Sequence, residues 1–424
     1  MRTGYEGTLS TFVIRRNVLS TPAYSPHDPM INRILVTVFL SVFIALLGVG
    51  IIIPVLPLLA VNLGATGFTL GLITAAFSVS RGLVQPGVGS LSDRWGRKGF
   101  LVAGFFIYGL VGLLIPYATS VFHLILIRLF QGIGSAMIIP VAMAYASALS
   151  PAGQEGRYMS FINIAIFCGI GFGPILGGVF ADLWGLASVF YMMAALCFLA
   201  FILVIVNMPG HCPGDGQVAA GLLVSMQQML RRRRTMGILL ARFSTVLMMV
   251  PTMAFLPVMM APWPDSTGLQ VGLVIAGRTM MNAVLQVPFG RVADRYDKVV
   301  LLLLGCACMS LAIFCIPMVS TFMAIMGLYL FLGFGEAILW PVLGAYAAEE
   351  GRTHFGHGTM MGVFNLAMSA GVFTGAILAG VSMDSWGISQ AFRITAVAVL
   401  VLPLLAAVMI RAGERSGETI GPAS

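Results

Sequence analysis

The sequence predicts an all-α membrane protein, twelve transmembrane helices arranged as two pseudo-symmetric six-helix bundles. Three observations predict it: an apolar composition that divides into bilayer-length stretches, basic residues confined to one side of them, and an internal repeat that halves the chain. Hydrophobic residues make up 59% of the 424 and charged residues 9%, against roughly 45–50% and 25% in a soluble domain. A hydrocarbon core of ~30 Å needs ~20 helical residues, and windows of about 19 residues pick out about twelve such stretches. Backbone groups in lipid must be satisfied internally, and alternating strands of barrel type are absent from the sequence, so the stretches read as helices.

The net charge of +8 would fit a nucleic-acid binder, but its placement argues for topology instead. With residues 10–32 taken as cytoplasmic and the spans alternated, Arg94, Arg97, Lys98, Arg157, Arg231 to Arg234, Arg291, Arg295, Lys298, Arg352, Arg411 and Arg415 fall on one side. The loops of the other side hold no Lys or Arg apart from Arg393, at the outer edge of the last span. This is the positive-inside pattern; it predicts a multi-pass cell-membrane protein, of bacterial inner-membrane type, with both termini cytoplasmic and no nucleic-acid partner. Residues 1–30 lack the apolar run of a secretory signal and read as a cytoplasmic arm. Five of the six cysteines lie in spans, Cys212 lies in the central loop, and none forms a CxxC pair, so neither a disulfide framework nor a metal site is expected.

The expected organisation is a tail at 1–32, a six-helix bundle at 33–207, a central loop at 208–235, a second bundle at 236–411 and a tail at 412–424. The first span, about 34 to 60, carries Gly48, Gly50, Pro54 and Pro57 in its outer half, where proline loosens the helix ladder. Span two holds Arg81. Span four opens HLILIRLFQGIGSAMIIP, with Arg128, Gln131, Gly132 and Gly134. Span five contains Gly169, Gly173, Pro174, Gly177 and Gly178 as GxxxGPxxGG, small residues that let another helix approach. In the central loop VAAGLLVSMQQMLRRRRT reads either as an interfacial helix on anionic headgroups or as a topological stop signal.

The repeat rests on a loop. Residues Gly89 to Lys98 read GSLSDRWGRK between spans two and three, and Gly290 to Lys298 read GRVADRYDK; the aspartates, Asp93 and Asp294, are 294 − 93 = 201 apart. At the same offset Gly132 matches Gly333, Pro140 matches Pro341 and Tyr145 matches Tyr346; at 202, Gly173 matches Gly375, Asp182 matches Asp384 and Trp184-Gly185 matches Trp386-Gly387. Two like-oriented halves imply a pseudo-twofold along the membrane normal with a cavity between them. The second copy has drifted: Arg128 becomes Tyr329, Pro174 becomes Ala376 and Gly96 becomes Asp297.

The G-x-L-x-D-R-x-G-R-K signature resembles the cytoplasmic loop motif of the major facilitator superfamily, and the likeness extends over nearly the whole chain. GxxxGPxxGG in the fifth span resembles the motif of its antiporters, and the first-span glycines and prolines resemble its drug and proton antiporter branch. The resemblance implies a proton-coupling role for Arg128 and a gating role for Gly89, Asp93, Arg94, Gly96, Arg97 and Lys98, with Asp294 and Arg295 as their counterparts. The Asp93 carboxylate can sit at the positive N-terminus of the eleventh helix and latch the halves in an outward-facing state; the basic residues beside it can equally serve only to set topology.

A charge inside a bilayer costs at least ~2.5 kcal/mol and needs a reason. Of the fifteen acids only Glu336 falls deep in a span. It reads as a carboxyl that takes up and releases a proton, or as the partner of a buried arginine, Arg278 or Arg81, or both. Arg242, near the inner end of span seven, is expected to snorkel. Arg81, Arg128 and Arg278 against one acid leave the interior positive, which favours anionic or zwitterionic substrates, and the first span lacks the acid that cationic-drug exporters use. Gln131, Met249, Met253 and Trp340 are candidate cavity residues, with Met248, Met259 and Met260 nearby, since 27 methionines offer a re-packable wall. His354 and His357 form an HxxH without further ligands. There is no GxxxxGK[ST], HExxH or GxSxG, so neither ATP-driven nor enzymatic chemistry is indicated.

These features together predict a monomeric, proton-coupled exporter of small amphiphilic or drug-like compounds, working by alternating access among membrane lipids, with no cofactor and the proton gradient as drive. The alternatives are a symporter or carrier of organic anions or lipids, a membrane enzyme, and a non-transporting sensor.

Overall fold

The computed structural model of the chain describes residues 29–148, 155–208, 222–264, 266–293, 295–355 and 357–415, and among them there is no β-strand. Residues 1–28 and 416–424 of the expected tails, 209–221 of the central loop with Cys212, and Asp294 lie outside the described residues. The first half comprises α1 (Pro29–Ile52) and the short α2 (Leu56–Asn62) as one crossing, then α3 (Gly67–Trp95), α4 (Arg97–Leu114), α5 (Val121–Ala148), α6 (Glu155–Trp184) and α7 (Leu186–Asn207). After α8 (Leu222–Arg231) the second half repeats the plan: α9 (Arg233–Thr245) with α10 (Leu256–Met260), α11 (Gly268–Ala293), α12 (Lys298–Cys315), α13 (Phe322–Glu350), α14 (His357–Trp386) and α15 (Ile388–Arg415).

Among the described residues, eleven crossings are long and apolar enough to traverse a bilayer. The seventh differs. It leaves α-geometry after Thr245, passes through a π-helical turn at Pro251–Phe255 and resumes at Leu256–Met260. Pro251 and Pro257 each lack a backbone donor, so an unbroken ladder cannot form there. The first crossing is interrupted in the same way between Ile52 and Leu56, at Pro54.

Each half uses one packing scheme. α1 lies on α6 and α7, α3 on α5, and α4 on α5 and α7; likewise α9 lies on α14 and α15, α11 on α13, and α12 on α13 and α15. The halves meet along two seams that are themselves symmetric, α3 with α14 and α6 with α11. Side chains such as Phe106, Phe130, Ile202, Leu311 and Val401 are exposed around the outside, the surface a multi-pass protein presents to acyl chains. Trp95 and Tyr296 are exposed near one set of helix ends, Trp184 and Trp386 near the other, as interfacial aromatic belts require.

Twelve crossings put the first and last described residues, Pro29 and Arg415, at one end, called here the terminal end; the other is the distal end. At the distal end each seam is clasped by a carboxylate. Asp182, near the end of α6, accepts from the backbone N–H groups of Gly268 and Leu269 at 2.8 and 2.9 Å. Asp384, near the end of α14, accepts from those of Gly67 and Phe68 at 2.6 and 2.8 Å. Both place a negative charge on the first turn of a helix from the opposite half, where the helix dipole favours it. Helix backbones touch below the clasps: a Cβ on Gly178 would run into the Gly268 carbonyl, and one on Gly272 into that of Pro174. Gly290 lies 290 − 272 = 18 residues, five turns, along the same face of α11, and a Cβ there would meet nothing within 4 Å. The α6–α11 seam is therefore shut distally, while at the terminal end Gly290 meets no neighbour among the described residues.

Candidate functional site

In the second half a buried ion pair joins α11 to α13. Arg278 of α11 and Glu336 of α13, 3% and 4% exposed, pair through Nε to Oε2 at 3.0 Å and Nη2 to Oε1 at 2.7 Å. Both carboxylate oxygens are engaged, the geometry in which an Arg–carboxylate pair is strongest. The remaining Nη1 donates to Thr252 Oγ1 at 2.6 Å. Thr252 belongs to the π-helical turn of the seventh crossing; its hydroxyl donates to the Met248 carbonyl at 2.7 Å, and its own carbonyl accepts from Tyr329 Oη at 2.8 Å. The ion pair is thus joined directly to a break in a helix.

The first half is built differently at equivalent positions. Arg278 corresponds to Phe77 (278 − 77 = 201), Tyr329 to Arg128 (329 − 128 = 201) and Glu336 to Ser135 (336 − 135 = 201). Arg128 Nη1 donates to Gln131 Oε1 at 2.5 Å, one turn along α5, and its guanidinium lies 4.5 Å from the centroid of the Phe77 ring. Arg128 Nε and Gln131 Nε2 are buried without a partner. No carboxylate among the described residues pairs with Arg81, Arg128 or Arg242. Arg242 departs from the snorkelling expectation: it is 6% exposed, its guanidinium 4.8 Å from the Trp340 and Phe364 ring centroids, with Nη2 2.9 Å from Met368 Sδ. Aromatic faces take the place of headgroups because α9 packs on α14 before its side chain could reach the surface.

Between the halves lies a cavity of about 200 Å³. Arg81 and Arg128 reach it from the first half, Met249, Met253 and Trp340 from the second, and Val49, Ile52, Leu56 and Phe77 supply much of the apolar wall. Of the predicted cavity residues Gln131 does not line it, lying buried behind Arg128. Met248 and Met260 are core residues, and Met259 is partly buried against the core.

The predicted loop is mostly helix. α3 continues through Gly89, Asp93 and Arg94 to Trp95, and the chain reverses only at Gly96, with φ +96°. The side chains of Asp93 and Arg94 lie outside the described residues. Arg97 is buried, Nη1 donating to the Ala144 carbonyl at 2.9 Å, and Lys98 Nζ donates to the carbonyls of Ile205 and Met208 at 2.8 and 2.5 Å. In the second copy Arg295 is exposed. The GxxxGPxxGG residues of α6 face two ways: Gly169, Gly173 and Gly177 against α1, Gly178 against α11, and Pro174 against both, its ring beside Gly50 and its carbonyl beside Gly272.

A second charge cluster, at the terminal end, was not legible in the sequence. Arg234, from the basic run read either as an interfacial anchor or as a stop signal, is buried and pairs with Glu349 at 2.8 Å and Glu350 at 3.0 Å; Thr235 donates to Glu350 at 2.8 Å and Lys298 pairs with Glu349 at 2.9 Å. His354 Nδ1 lies 2.6 Å from Thr353 Oγ1, the His357 side chain lies outside the described residues, and no three His, Cys, Asp or Glu side chains among the described residues form a metal-sized group.

Two like-oriented helical bundles about a central cavity define a membrane carrier. The sequence profile of the Major Facilitator Superfamily matches residues 38–263 and 238–423, and the chain belongs to that family. An uncharacterized MFS-type transporter of Methanocaldococcus jannaschii is 30% identical over 373 residues, 87% of this chain and 96% of the relative. Quinolone resistance protein NorA of Staphylococcus aureus is 31% identical over 175 residues, 41% of this chain and 45% of its own length. Among solved structures, a bacterial homolog of the human lysosomal transporter Spinster, inward-facing and unoccupied, has the same fold at a TM-score of 0.78, with 14% identity over 93% of this chain and 100% of the other. The chain is a multi-pass membrane transporter, not an enzyme, and its family carries small molecules.

Proposed function

We propose that the chain is a proton-coupled exporter of small amphiphilic compounds, with the Arg278–Glu336 pair as the coupling element and the cavity between the bundles as the carrier site. The observation that carries this reading is the chain of bonds from Glu336 through Arg278 and Thr252 into the broken seventh crossing. When Glu336 is ionised the fork is complete and Thr252 is held. A proton arriving on Glu336 cancels the charge that Arg278 faces, weakens the fork and frees the turn at Pro251–Phe255 to repack against the cavity. Substrate release and proton release then belong to opposite states of one helix. Partial similarity to NorA supports export of drug-like compounds. Basic residues at the terminal end support a cell-membrane protein with both termini cytoplasmic, so that the present state opens inward. The two bundles, 33–207 and 236–411, act as the rocking bodies of a monomer, and the scheme needs no cofactor. Asp93 latches the opposite, outward-facing state.

The test is substrate movement in proteoliposomes with and without a pH gradient. Wild type is expected to move substrate uphill only with the gradient, while Glu336→Gln keeps downhill exchange and loses uphill flux. Uphill flux in Glu336→Gln equal to wild type removes the coupling role. A second reading, a carrier of organic anions, is favoured by one observation, the arginines at the cavity that have no carboxylate partner among the described residues.

A further inference from the structure

We propose that Arg81 and Arg128 form the headgroup site for an amphiphilic anion, a carboxylate or sulfonate on an apolar body, so that the carrier selects negative over positive substrates. The inference rests on the transport reading above and adds the substrate class.

Four observations converge on it. Arg81 and Arg128 open on the same cavity from neighbouring helices, α3 and α5. Arg128 is 9% exposed, yet its Nε is unpartnered and only Nη1 is engaged, by a neutral amide. A buried cation without a counter-charge is expensive unless something supplies one. The Phe77 ring beneath it offsets part of that cost and leaves the outer donors free. Lastly, the acids with described side chains are committed elsewhere: Glu336 to Arg278, Asp182 and Asp384 to the distal clasps, Glu349, Glu350 and Glu414 to Arg234, and Asp297 to the first turn of α12. Asp93 is twelve residues from Arg81 along α3, about 18 Å at the helical rise. The counter-charge missing from this cavity is therefore one that arrives with the substrate.

The rest of the cavity fits an apolar body. Val49, Ile52, Leu56, Met249 and Met253 line it together with the two arginines. Methionine on the seventh crossing repacks around bodies of different shape, while the guanidinium fork fixes the head. Charge selects; the wall tolerates.

The experiment uses the full chain in nanodiscs of zwitterionic lipid without any pH gradient, and measures binding of pyrenebutyrate, pyrenebutanol and pyrenebutyltrimethylammonium, which share one apolar body. The anion is expected to bind at least about ten-fold tighter than the alcohol, the worth of one charge-assisted hydrogen bond, and the cation weakest. Arg81→Gln and Arg128→Gln are each expected to bring anion affinity close to that of the alcohol while leaving the alcohol unchanged. Arg81→Lys, which keeps the charge, retains a preference for the anion. Displacement of pyrenebutyrate by anionic lipid in a second set of nanodiscs identifies a lipid headgroup as an occupant of the same site; without displacement the soluble anion is the occupant. Cation binding equal to or tighter than anion binding overturns the proposal, as does an anion preference that survives in the monodisperse Arg81→Gln, Arg128→Gln double variant. Because binding is read without a gradient, loss of coupled flux alongside intact anion selection counts against the coupling mechanism and not against this site.

Discussion

Single residues divide the labour between the halves. Where the second half holds Glu336 the first holds Ser135, and where the second holds Arg278 the first holds Phe77. One half thus owns a complete ion pair and the other a cation resting on an aromatic ring. Removing one partner of a buried pair costs about 3–5 kcal/mol because the other charge stays buried, which is why Glu336→Gln, retaining an acceptor for Arg278, separates coupling from folding better than alanine does. Thr252 is the next residue along. Thr252→Val keeps the shape but removes the acceptor for Arg278 Nη1 and the bond to the Met248 carbonyl. A buried donor left unmatched costs about 1–3 kcal/mol, so thermal unfolding in detergent is expected at lower temperature; an unchanged transition would detach Thr252 from the pair. Glu336 was legible in the sequence, since a carboxylate deep in a span demands an explanation, and Arg278 was one of two partners it allowed. Thr252 and Tyr329 were not: a threonine hydroxyl in a membrane helix usually bonds its own backbone, and the partner of the Tyr329 hydroxyl is a backbone carbonyl on another crossing. Glu350 was also missed: at a span end it looks solvated, and only the packing of α9 beside α13 buries it against Arg234.

At the scale of elements, the two copies of one turn show why a repeat can drift without losing its fold. The reversal after α3 is made by Gly96 at φ +96° and ψ 132°, a region open almost solely to glycine. In the second copy Asp297 stands there at φ −57°, and its carboxylate caps α12 by accepting from the N–H groups of Val299 and Val300 at 2.7 and 3.3 Å. One turn is specified by backbone freedom, the other by a side-chain cap. Gly96→Ala is accordingly expected to lose about 1–3 kcal/mol of stability through strain, and Asp297→Ala about 0.5–2 kcal/mol through the lost cap, both read by denaturation; equal insensitivity at the two positions would refute the distinction. Helix positions were legible to within a few residues because bilayer length fixes them. The extent of α3 was not: polar GSLSDRW reads as a loop by hydropathy, although nothing in it breaks a helix before Gly96. The break in the seventh crossing was likewise hidden, since Pro251 and Pro257 sit in an apolar run that hydropathy alone joins into one span.

The whole molecule is a balance between two closures, and the distal one is visible atom by atom. Asp182 and Asp384 match in the repeat, sit near the ends of α6 and α14, and each binds the first turn of a helix from the other half. Opening the distal end must break both clasps and separate backbones that touch at Gly178 and Gly272. An exposed carboxylate on a helix N-terminus is worth about 0.3–1 kcal/mol; since ~1.4 kcal/mol is ten-fold in an equilibrium, each clasp biases the two states by about two- to five-fold. Asparagine keeps the size but gives up the charge and one of the two acceptors. Asp182→Asn and Asp384→Asn are each expected to raise the fraction of distally open molecules by about that factor, and the double variant by about the product, because the clasps lie on separate seams. Labelling of a cysteine placed at Val49, on the cavity wall, with a membrane-impermeant thiol reagent applied from the distal side reads this directly. A double variant that labels no faster than wild type would mean the glycine seam alone holds the end shut, and a gain from only one of the two substitutions would mean that the bundles, though symmetric in fold, do not open symmetrically.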